Sequence, residues 1–190
     1  MLYSVMKVIL WPINKLIFRF EVVNRPDLDE NKRLILCSNH ISALDPILIA
    51  MTFKRKISFM AKVELFKNKL VGGFLTRLGA IPVDRQKSDL KAIKSSLAVL
   101  KNEEVLGIFP EGTRVKAISQ DNMKTGIGYL AYRGQADVLP VEIVGNYKPF
   151  RKMKVVYKEP IYIDDYKDVD KKEVYDLITR DIYKSIYDKE

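Results

Sequence analysis

Histidine occurs once in this 190-residue chain, at His40, and an aspartate follows five residues later, at Asp45. Residues five apart on an ideal helix lie roughly 140° apart, so the two side chains would not share one helix face. They meet if His40 lies in a turn and Asp45 caps the helix that Pro46 begins. The carboxylate then accepts a hydrogen bond from one ring nitrogen, which leaves the other nitrogen as a general base. The alternative is a histidine that is satisfied within a turn.

A second group of reactive residue types stands at 109–114, with the sequence Phe-Pro-Glu-Gly-Thr-Arg. It follows a short apolar run at 105–108, which is typical of a buried strand. Gly112 allows the backbone to approach a ligand closely. Arg114 carries a planar guanidinium that donates two parallel hydrogen bonds to a phosphate. The motif therefore indicates a site for a phosphorylated molecule.

The Asn-His-(four residues)-Asp pattern at 39–45 and the motif at 109–114 together resemble the glycerolipid acyltransferases. The resemblance is greatest to the 1-acylglycerol-3-phosphate acyltransferases and covers residues 18–160. Further matches are Ala-Lys-Val-Glu-Leu at 61–65, Gly-Ala-Ile-Pro-Val-Asp-Arg at 79–85 and Val-Leu-Pro-Val at 138–141. The last of these is expected to shape the acyl site, or else to be an edge or bulged strand.

The resemblance implies that His40 is the general base and that Asp45 orients it and stabilises the imidazolium. The reaction that the resemblance implies is acyl transfer from a thioester to an alcohol, which needs a base for the hydroxyl proton. No Gly-x-Ser-x-Gly motif is present, so direct attack by the acceptor hydroxyl is favoured over an acyl-enzyme. The donor is acyl-carrier protein or coenzyme A thioester, and the sequence does not choose between them.

The resemblance also assigns the acceptor, lysophosphatidic acid, to a set of polar residues. Its phosphate is expected to contact arginine and lysine side chains. A threonine is expected to supply a hydroxyl contact, and the glycine to let the backbone approach the ligand. The glutamate either positions an arginine or bonds the glycerol hydroxyl. The expected acceptor-binding residues are Lys62, Arg85, Glu111, Gly112, Thr113 and Arg114.

The charge balance predicts an anionic partner. Lysine and arginine outnumber acidic residues 33 to 24, which gives a formal net charge of +9. Nucleic acid, a phosphorylated substrate and an anionic membrane surface all fit this charge. No nucleic-acid module is recognisable, so no nucleic-acid partner is expected. A single cysteine, Cys37, excludes an intramolecular disulfide, and with one histidine it cannot form the usual zinc site, so no metal or cofactor is expected.

The first 20 residues form an apolar segment that Lys7, Lys15 and Arg19 interrupt. No uncharged stretch reaches the 18 or so residues of a spanning helix. The polar side chains share one arc of a helical wheel, which predicts an amphipathic helix at the membrane interface, kinked near Pro12. The alternative is a helix packed on its own domain. We expect residues 1–20 to associate with the membrane, peripherally or monotopically on the cytoplasmic face, and residues 21–190 to form the acyltransferase domain.

Short strand-like runs alternate with helical patterns along the rest of the chain. The expected strands are 18–23, 34–38, 57–61, 80–83, 105–109, 138–144 and 153–157. The expected helices are 46–53, 63–77, 88–101, 122–133 and 169–187, the last of them solvated rather than part of a site. This alternation predicts a single α/β domain with a mostly parallel or mixed sheet flanked by helices.

Two rival functions remain open at this stage. The first is a related acyltransferase that acts on glycerol-3-phosphate or another lysophospholipid, because the motifs describe the chemistry and the phosphate but not the acceptor position. The second is a non-catalytic basic protein that binds membranes or nucleic acid. A binding protein of that kind has no need for a histidine base beside an aspartate.

Overall fold

The computed structural model describes Tyr3 and residues 19–28, 32–86, 89–112, 126–148 and 150–188. Two single 3₁₀ turns, Val63–Phe66 and Ile163–Tyr166, accompany the regular elements. The strands are β1 (Phe20–Val23), β2 (Leu34–Ser38), β3 (Ile57–Lys62), β4 (Ile81–Val83), β5 (Val105–Ile108), β6 (Asp137–Val144) and β7 (Met153–Tyr157). The helices are α1 (Asp45–Thr52), α2 (Lys69–Leu78), α3 (Leu90–Lys101), α4 (Gly126–Gly134) and α5 (Val174–Tyr187).

The strands form one mixed sheet in the order β1-β7-β6-β2-β5-β3-β4. Strands β6, β2, β5, β3 and β4 run parallel to one another. Strand β7 pairs antiparallel with β6, and β1 runs parallel to β7, so these two strands point the opposite way. The single α/β domain with a mixed sheet and flanking helices is the predicted fold, and it is confirmed.

The central strands are buried on both faces, which explains their nearly continuous apolar sequences. Ile35 and Cys37 of β2 face the core under α3, α4 and α5, whereas Leu34 and Leu36 face the core under α1. Side chains alternate between the faces of a strand, so one short run serves both cores. The thiol of Cys37 is fully buried, and burial raises its pKa well above the usual value, so it is a packing residue.

The last helix begins at Val174 rather than at 169, and local capping explains why the helix expected from 63 also begins later. The predicted helix 63–77 is split into a 3₁₀ turn and α2, because Asn68 caps the second part. The side chain of Asn68 accepts hydrogen bonds from the backbone N–H groups of Leu70 and Val71, at 3.0 and 3.1 Å. Gly79 ends α2 in the left-handed region, with φ of 84°.

Pro140 lies in β6, an interior strand, although a proline cannot donate to a sheet ladder. Val138 exchanges two backbone hydrogen bonds with Ile161, and Lys158 donates to the carbonyl of Pro140 at 3.0 Å. The segment from Lys158 to Ile161, which follows β7, therefore lies beside Pro140 and is not a regular strand. The position where Pro140 lacks an N–H faces this segment.

The predicted membrane segment 1–20 falls outside the described residues except for Tyr3, Arg19 and Phe20, the last of which already begins β1. The hydroxyl of Tyr3 accepts a hydrogen bond from the backbone N–H of Ile57 at 3.2 Å. Within the part of the chain that the structure describes, no helix has the length and apolar character needed to cross a membrane.

Candidate active site

The predicted site residues follow the carboxyl ends of parallel strands. His40 follows β2, the turn at 109–112 follows β5, Lys62 ends β3 and Arg85 follows β4. Because these strands run in the same direction, their carboxyl ends share one edge of the sheet, where open α/β sheets bind ligands. Four separate parts of the sequence therefore reach the same edge.

His40 and Asp45 are in direct contact. His40 Nδ1 lies 2.9 Å from Asp45 Oδ2, a hydrogen-bonding distance. The histidine side chain retains 12% exposure, whereas the aspartate side chain is fully buried. With Nδ1 engaged by the carboxylate, Nε2 is the nitrogen left to exchange a proton with a substrate.

The predicted role of Asp45 as a helix cap is wrong, because its carboxylate points back to the preceding turn. Leu44 is the capping residue of α1, without a side-chain cap, and Asp45 is the first helical residue. Oδ2 of Asp45 also accepts hydrogen bonds from the backbone N–H groups of Ile41 and Ser42, both at 2.7 Å. These bonds satisfy the buried charge and fix the turn that carries the histidine.

Asn39 anchors the same turn to the neighbouring strand. Its side-chain amide donates to the carbonyl of Ile143 at 2.9 Å and accepts from the N–H of the same residue at 2.7 Å. This pair of bonds imitates a strand ladder just beyond the end of β2. The amide in the Asn-His pattern thus holds the turn on β6.

The ring of His40 rests on an aromatic stack. Its centroid lies 4.3 Å from that of Phe109, and Phe109 in turn stacks on Phe59 at 5.7 Å. Gly107 makes room for this stack, since a Cβ there would lie 2.3 Å from the Phe59 ring. The pairing of β3, β5 and β2 therefore determines both the position and the plane of the imidazole ring.

Glu111 is buried, with 6% exposure, in a β-turn closed by a hydrogen bond from Gly112 N–H to the Phe109 carbonyl at 3.0 Å. Gly112 has φ of 66°, the left-handed region that favours glycine. Burial raises the pKa of Glu111, while the Tyr187 hydroxyl and nearby groups of His40 act in the opposite direction. Oε2 of Glu111 has no hydrogen-bond partner among the residues described.

Two tyrosines contact these carboxylates, and the sequence analysis missed both. The Tyr147 hydroxyl donates to Oδ1 of Asp45 at 2.7 Å, and the Tyr187 hydroxyl donates to Oε1 of Glu111. Burial raises the pKa of each phenol well above its usual value, and the facing carboxylate adds to the shift, so both remain donors. A tyrosine that follows β6 or ends the last helix carries no local signal for such contacts.

The structure describes some of the predicted acceptor residues and their local contacts. Lys62 forms an exposed ion pair with Glu64, with Nζ to Oε1 at 3.3 Å. Arg85 lies in a turn held by Asp89, whose carboxylate accepts the N–H of Asp84 at 2.9 Å. Thr113 and Arg114 lie outside the described residues. Their expected roles stay predictions.

The arrangement suits acid–base chemistry. Across residues 19–28, 32–86, 89–112, 126–148 and 150–188, no three His, Cys, Asp or Glu side chains are placed to hold an ion. An α/β domain with a carboxylate-bound histidine at the carboxyl edge of its sheet has the architecture of a general-base enzyme.

Comparison with known proteins defines that enzyme class. The family model described as Acyltransferase matches residues 19–144, which include the His-Asp pair and the motif at 109–114. The chain belongs to this acyltransferase family.

Among its relatives is the 1-acyl-sn-glycerol-3-phosphate acyltransferase of Bacillus subtilis, which is 33% identical over 160 residues. That alignment covers 80% of this chain and 79% of the relative. The enzyme of the same name from Streptococcus pneumoniae is 34% identical over 139 residues, which is 72% of this chain and 50% of that protein.

A solved structure has the same fold. The crystal structure of the 1-acyl-sn-glycerophosphate (LPA) acyltransferase of Thermotoga maritima superposes with a TM-score of 0.68 at 23% identity. The superposition covers 95% of this chain and 78% of that chain.

Proposed function

We propose that this acyltransferase moves a fatty acyl group from a thioester to the free hydroxyl of 1-acylglycerol-3-phosphate, which yields phosphatidic acid for phospholipid synthesis. The contact of 2.9 Å between His40 and the buried Asp45 is the observation that carries the proposal. Relatives named for this reaction, at 33% and 34% identity, support the choice of acceptor.

The chemistry follows from the orientation of the imidazole. Nε2 of His40 takes the proton of the acceptor hydroxyl as the oxygen attacks the thioester carbonyl. The tetrahedral intermediate then collapses, the carbon–sulfur bond breaks, and the imidazolium returns the proton to the thiolate. Asp45 stabilises the imidazolium between these steps, and its two bonds to backbone N–H groups keep the carboxylate in place.

The acceptor phosphate is assigned to Arg85 and Arg114, with Lys62 as an additional cation and Thr113 as a hydroxyl contact. Gly112 lets the chain approach the ligand closely. Glu111 either positions an arginine or accepts a hydrogen bond from the glycerol hydroxyl. The second use is supported by Oε2, since Tyr187 engages only Oε1 and a substrate hydroxyl would satisfy the other buried oxygen.

The donor is proposed to be acyl-carrier protein or coenzyme A thioester, both of which are acidic and suit a chain of net charge +9. Parallel assays with the same acyl group on the two carriers, and one acceptor, separate them. The carrier with the larger kcat/KM is the donor.

We further propose peripheral association with the cytoplasmic face of the cell membrane through residues 1–20, with residues 21–190 as the catalytic domain. Deleting residues 1–19 spares β1, which begins at Phe20. The truncated chain should move largely to the soluble fraction and lose activity on vesicle-borne acceptor. A truncated chain that stays membrane-bound and active would remove this segment from the proposal.

The decisive experiment is acyl transfer to lysophosphatidic acid by the purified full chain, with the product identified by mass. Replacing His40 by glutamine retains an amide donor for Asp45 but removes the basic nitrogen, and His40→Ala removes both. Each variant should lower turnover by roughly 10²–10⁴ while the fold is retained. Near wild-type turnover in a folded variant would contradict the role of His40 as general base. If the wild type prefers glycerol-3-phosphate or another lysophospholipid, that molecule is the acceptor instead of lysophosphatidic acid.

A further inference from the structure

Helix α2 and the turn before it expose an unusual number of large apolar side chains. Leu70 is 86% exposed, Leu65 48%, Val71 43% and Phe74 38%. Leu70 and Phe74 are four residues apart and therefore share one helix face. We call these four residues, together with the neighbouring Lys67, Lys69 and Arg77, the α2 surface.

Packing within the described chain covers only part of α2, since Leu75 and Leu78 are half-buried and the other large apolar side chains are exposed. Its one buried residue is Gly72, which presses on the backbone of Phe66, where a Cβ would lie 2.6 Å from the carbonyl oxygen. A ten-residue helix with two adjacent glycines is marginal in water unless an apolar face is covered. The α2 surface therefore has the properties of a helix that is stabilised by a partner.

The charges on this surface select the kind of partner. Residues 65–78 contain two lysines and one arginine and no acidic residue. All three cations are exposed. The acidic residue just before them, Glu64, is paired with Lys62. Glu64 also interacts electrostatically with Lys67, whereas Lys69 and Arg77 are exposed on a segment without acidic residues. Apolar side chains beside exposed cations complement an anionic lipid surface.

The α2 surface begins at the edge of the sheet that carries the candidate active site. The turn Val63–Phe66 follows the carboxyl end of β3, and His40 follows the carboxyl end of the parallel strand β2. A bilayer against Leu65 and the start of α2 would therefore lie beside the edge where the histidine stands. A lipid acceptor would reach that edge without leaving the membrane.

We propose that the α2 surface docks on the anionic bilayer, with Leu65, Leu70, Val71 and Phe74 entering the boundary between headgroups and acyl chains. Lys67, Lys69 and Arg77 then contact the lipid phosphates. This contact is separate from the one proposed for residues 1–20. Its purpose rests on the proposed function, because the acceptor of that reaction is a bilayer lipid.

The chain offers a matched control for the test. Lys69→Glu/Leu70→Gln changes a lysine and an exposed leucine at the start of α2. Leu90→Gln/Lys91→Glu makes the same two changes at the start of α3, where Leu90 is 67% exposed and Lys91 is exposed. Both variants have the same net charge and exchange the same two residue types, and both place the acid near a helix N-terminus, which favours folding.

The full chain and both variants are mixed with phosphatidylglycerol vesicles and with phosphatidylcholine vesicles, and the bound fraction is measured by sedimentation. We expect the α2 variant to lose about tenfold or more in partitioning onto phosphatidylglycerol vesicles. The α3 variant should bind like the wild type. Equal binding by all three proteins, or equal losses in both variants, would overturn the proposal. A lower Tm of the α2 variant without lipid would also overturn it, since the surface would then be covered within the chain or by a second copy.

Activity on a short-chain acceptor that is dispersed as monomers separates this proposal from the proposed function. The α2 variant should keep wild-type turnover on this acceptor and lose it on the vesicle-borne acceptor. If the wild type transfers no acyl group to any acceptor, the proposed function fails. The vesicle comparison still decides the docking of the α2 surface.

Discussion

Tyr187, the last residue of α5, donates its hydroxyl hydrogen bond to Oε1 of Glu111, a buried carboxylate 76 residues earlier in the chain. The final helix was expected to be a solvated amphipathic helix rather than a binding element. Its apolar stripe consists of Val174, Ile178, Ile182 and Ile186, which repeat every four residues and are buried in the core beneath the sheet. The burial of this stripe places the end of α5 beside the glutamate.

Tyr187→Phe should therefore affect both stability and catalysis. The substitution leaves Glu111 without its hydroxyl donor in a buried position, which should lower the free energy of unfolding by about 1–2 kcal/mol. Because that hydrogen bond lowers the pKa of Glu111, its loss should raise the pKa further. Tyr183→Phe, one turn earlier on α5, is the control. Denaturation and acyl-transfer assays should show a loss for position 187 alone, and equal effects at both positions would refute the role of the contact.

The raised pKa of Glu111 also predicts that the difference in stability between the wild type and Glu111→Gln depends on pH. Burial raises its pKa in the folded chain, so the folded state binds the proton more tightly than the unfolded state does. The contribution of Glu111 is then most favourable below its unfolded pKa and declines as the pH rises through the folded pKa. Glu111→Gln does not titrate. Its stability relative to wild type should increase from about pH 4 to about pH 8. A difference that is constant over this range would contradict the raised pKa.

Asp45→Asn separates charge from geometry at the histidine. An asparagine oxygen in the place of Oδ2 still accepts the N–H groups of Ile41 and Ser42, and its amide group faces the hydroxyl of Tyr147, which can accept a bond. The turn should survive, but the imidazolium loses its counter-charge. We expect kcat to fall by about 10²-fold or more with little change in acceptor KM. A wild-type kcat in a folded variant would exclude Asp45 from catalysis.

Much of the fold was accessible from the sequence because its signals are local. Seven apolar runs bounded by turn residues became seven strands, and Pro46 marked the start of α1. The start of α2 was misplaced because the side-chain cap of Asn68 overrides a helical pattern that continues through 63–77. The alternative considered for the motif at 138–141 was an edge or bulged strand, but Pro140 lies in an interior strand because its partner chain bends away there.

The site was only partly predictable, because only some of its contacts have local signals in the sequence. His40 and Asp45 are five residues apart, so one turn suffices to join them, and the spacing indicated it. The direction of the Asp45 carboxylate and its bond to Tyr147 depend on how β6 returns beside β2, which spans 102 residues of sequence. The contact between Tyr187 and Glu111 depends on the docking of a whole helix. Neither has a local signature.

Gly107 should be sensitive to the smallest substitution because it makes room for the aromatic stack beneath the histidine. A Cβ at Gly107 would meet the Phe59 ring at 2.3 Å and Ile57 at 2.7 Å. Gly107→Ala should lower the free energy of unfolding by about 1–3 kcal/mol. It should also reduce turnover, because the His40 ring rests on Phe109 in the same aromatic stack. Gly73→Ala is the control, since no atom lies within 4 Å of a Cβ there. It should stabilise α2 by about 0.5–1 kcal/mol. Thermal unfolding of the two variants tests both the predicted destabilisation by Gly107→Ala and the predicted stabilisation by Gly73→Ala.

Arg85 tests the assignment of the acceptor phosphate. It lies at the carboxyl edge of the sheet in a turn that Asp89 holds through the N–H of Asp84. If its guanidinium binds the phosphate, Arg85→Ala should lower kcat/KM for lysophosphatidic acid by roughly 10- to 100-fold, mainly through a higher acceptor KM. Arg85→Lys keeps the charge but loses the planar fork, so its kcat/KM should lie between the values of the wild type and of Arg85→Ala.

The same variants assayed on 1-acylglycerol, which lacks the phosphate, should differ little from the wild type. Arg133→Ala, at an exposed arginine in the last turn of α4, provides a control for the loss of one positive charge. If Arg85→Ala instead raises only the donor KM, the arginine belongs to the thioester site. Equal losses on both acceptors would mean that Arg85 supports the turn rather than the phosphate, since a structural defect does not distinguish the two substrates.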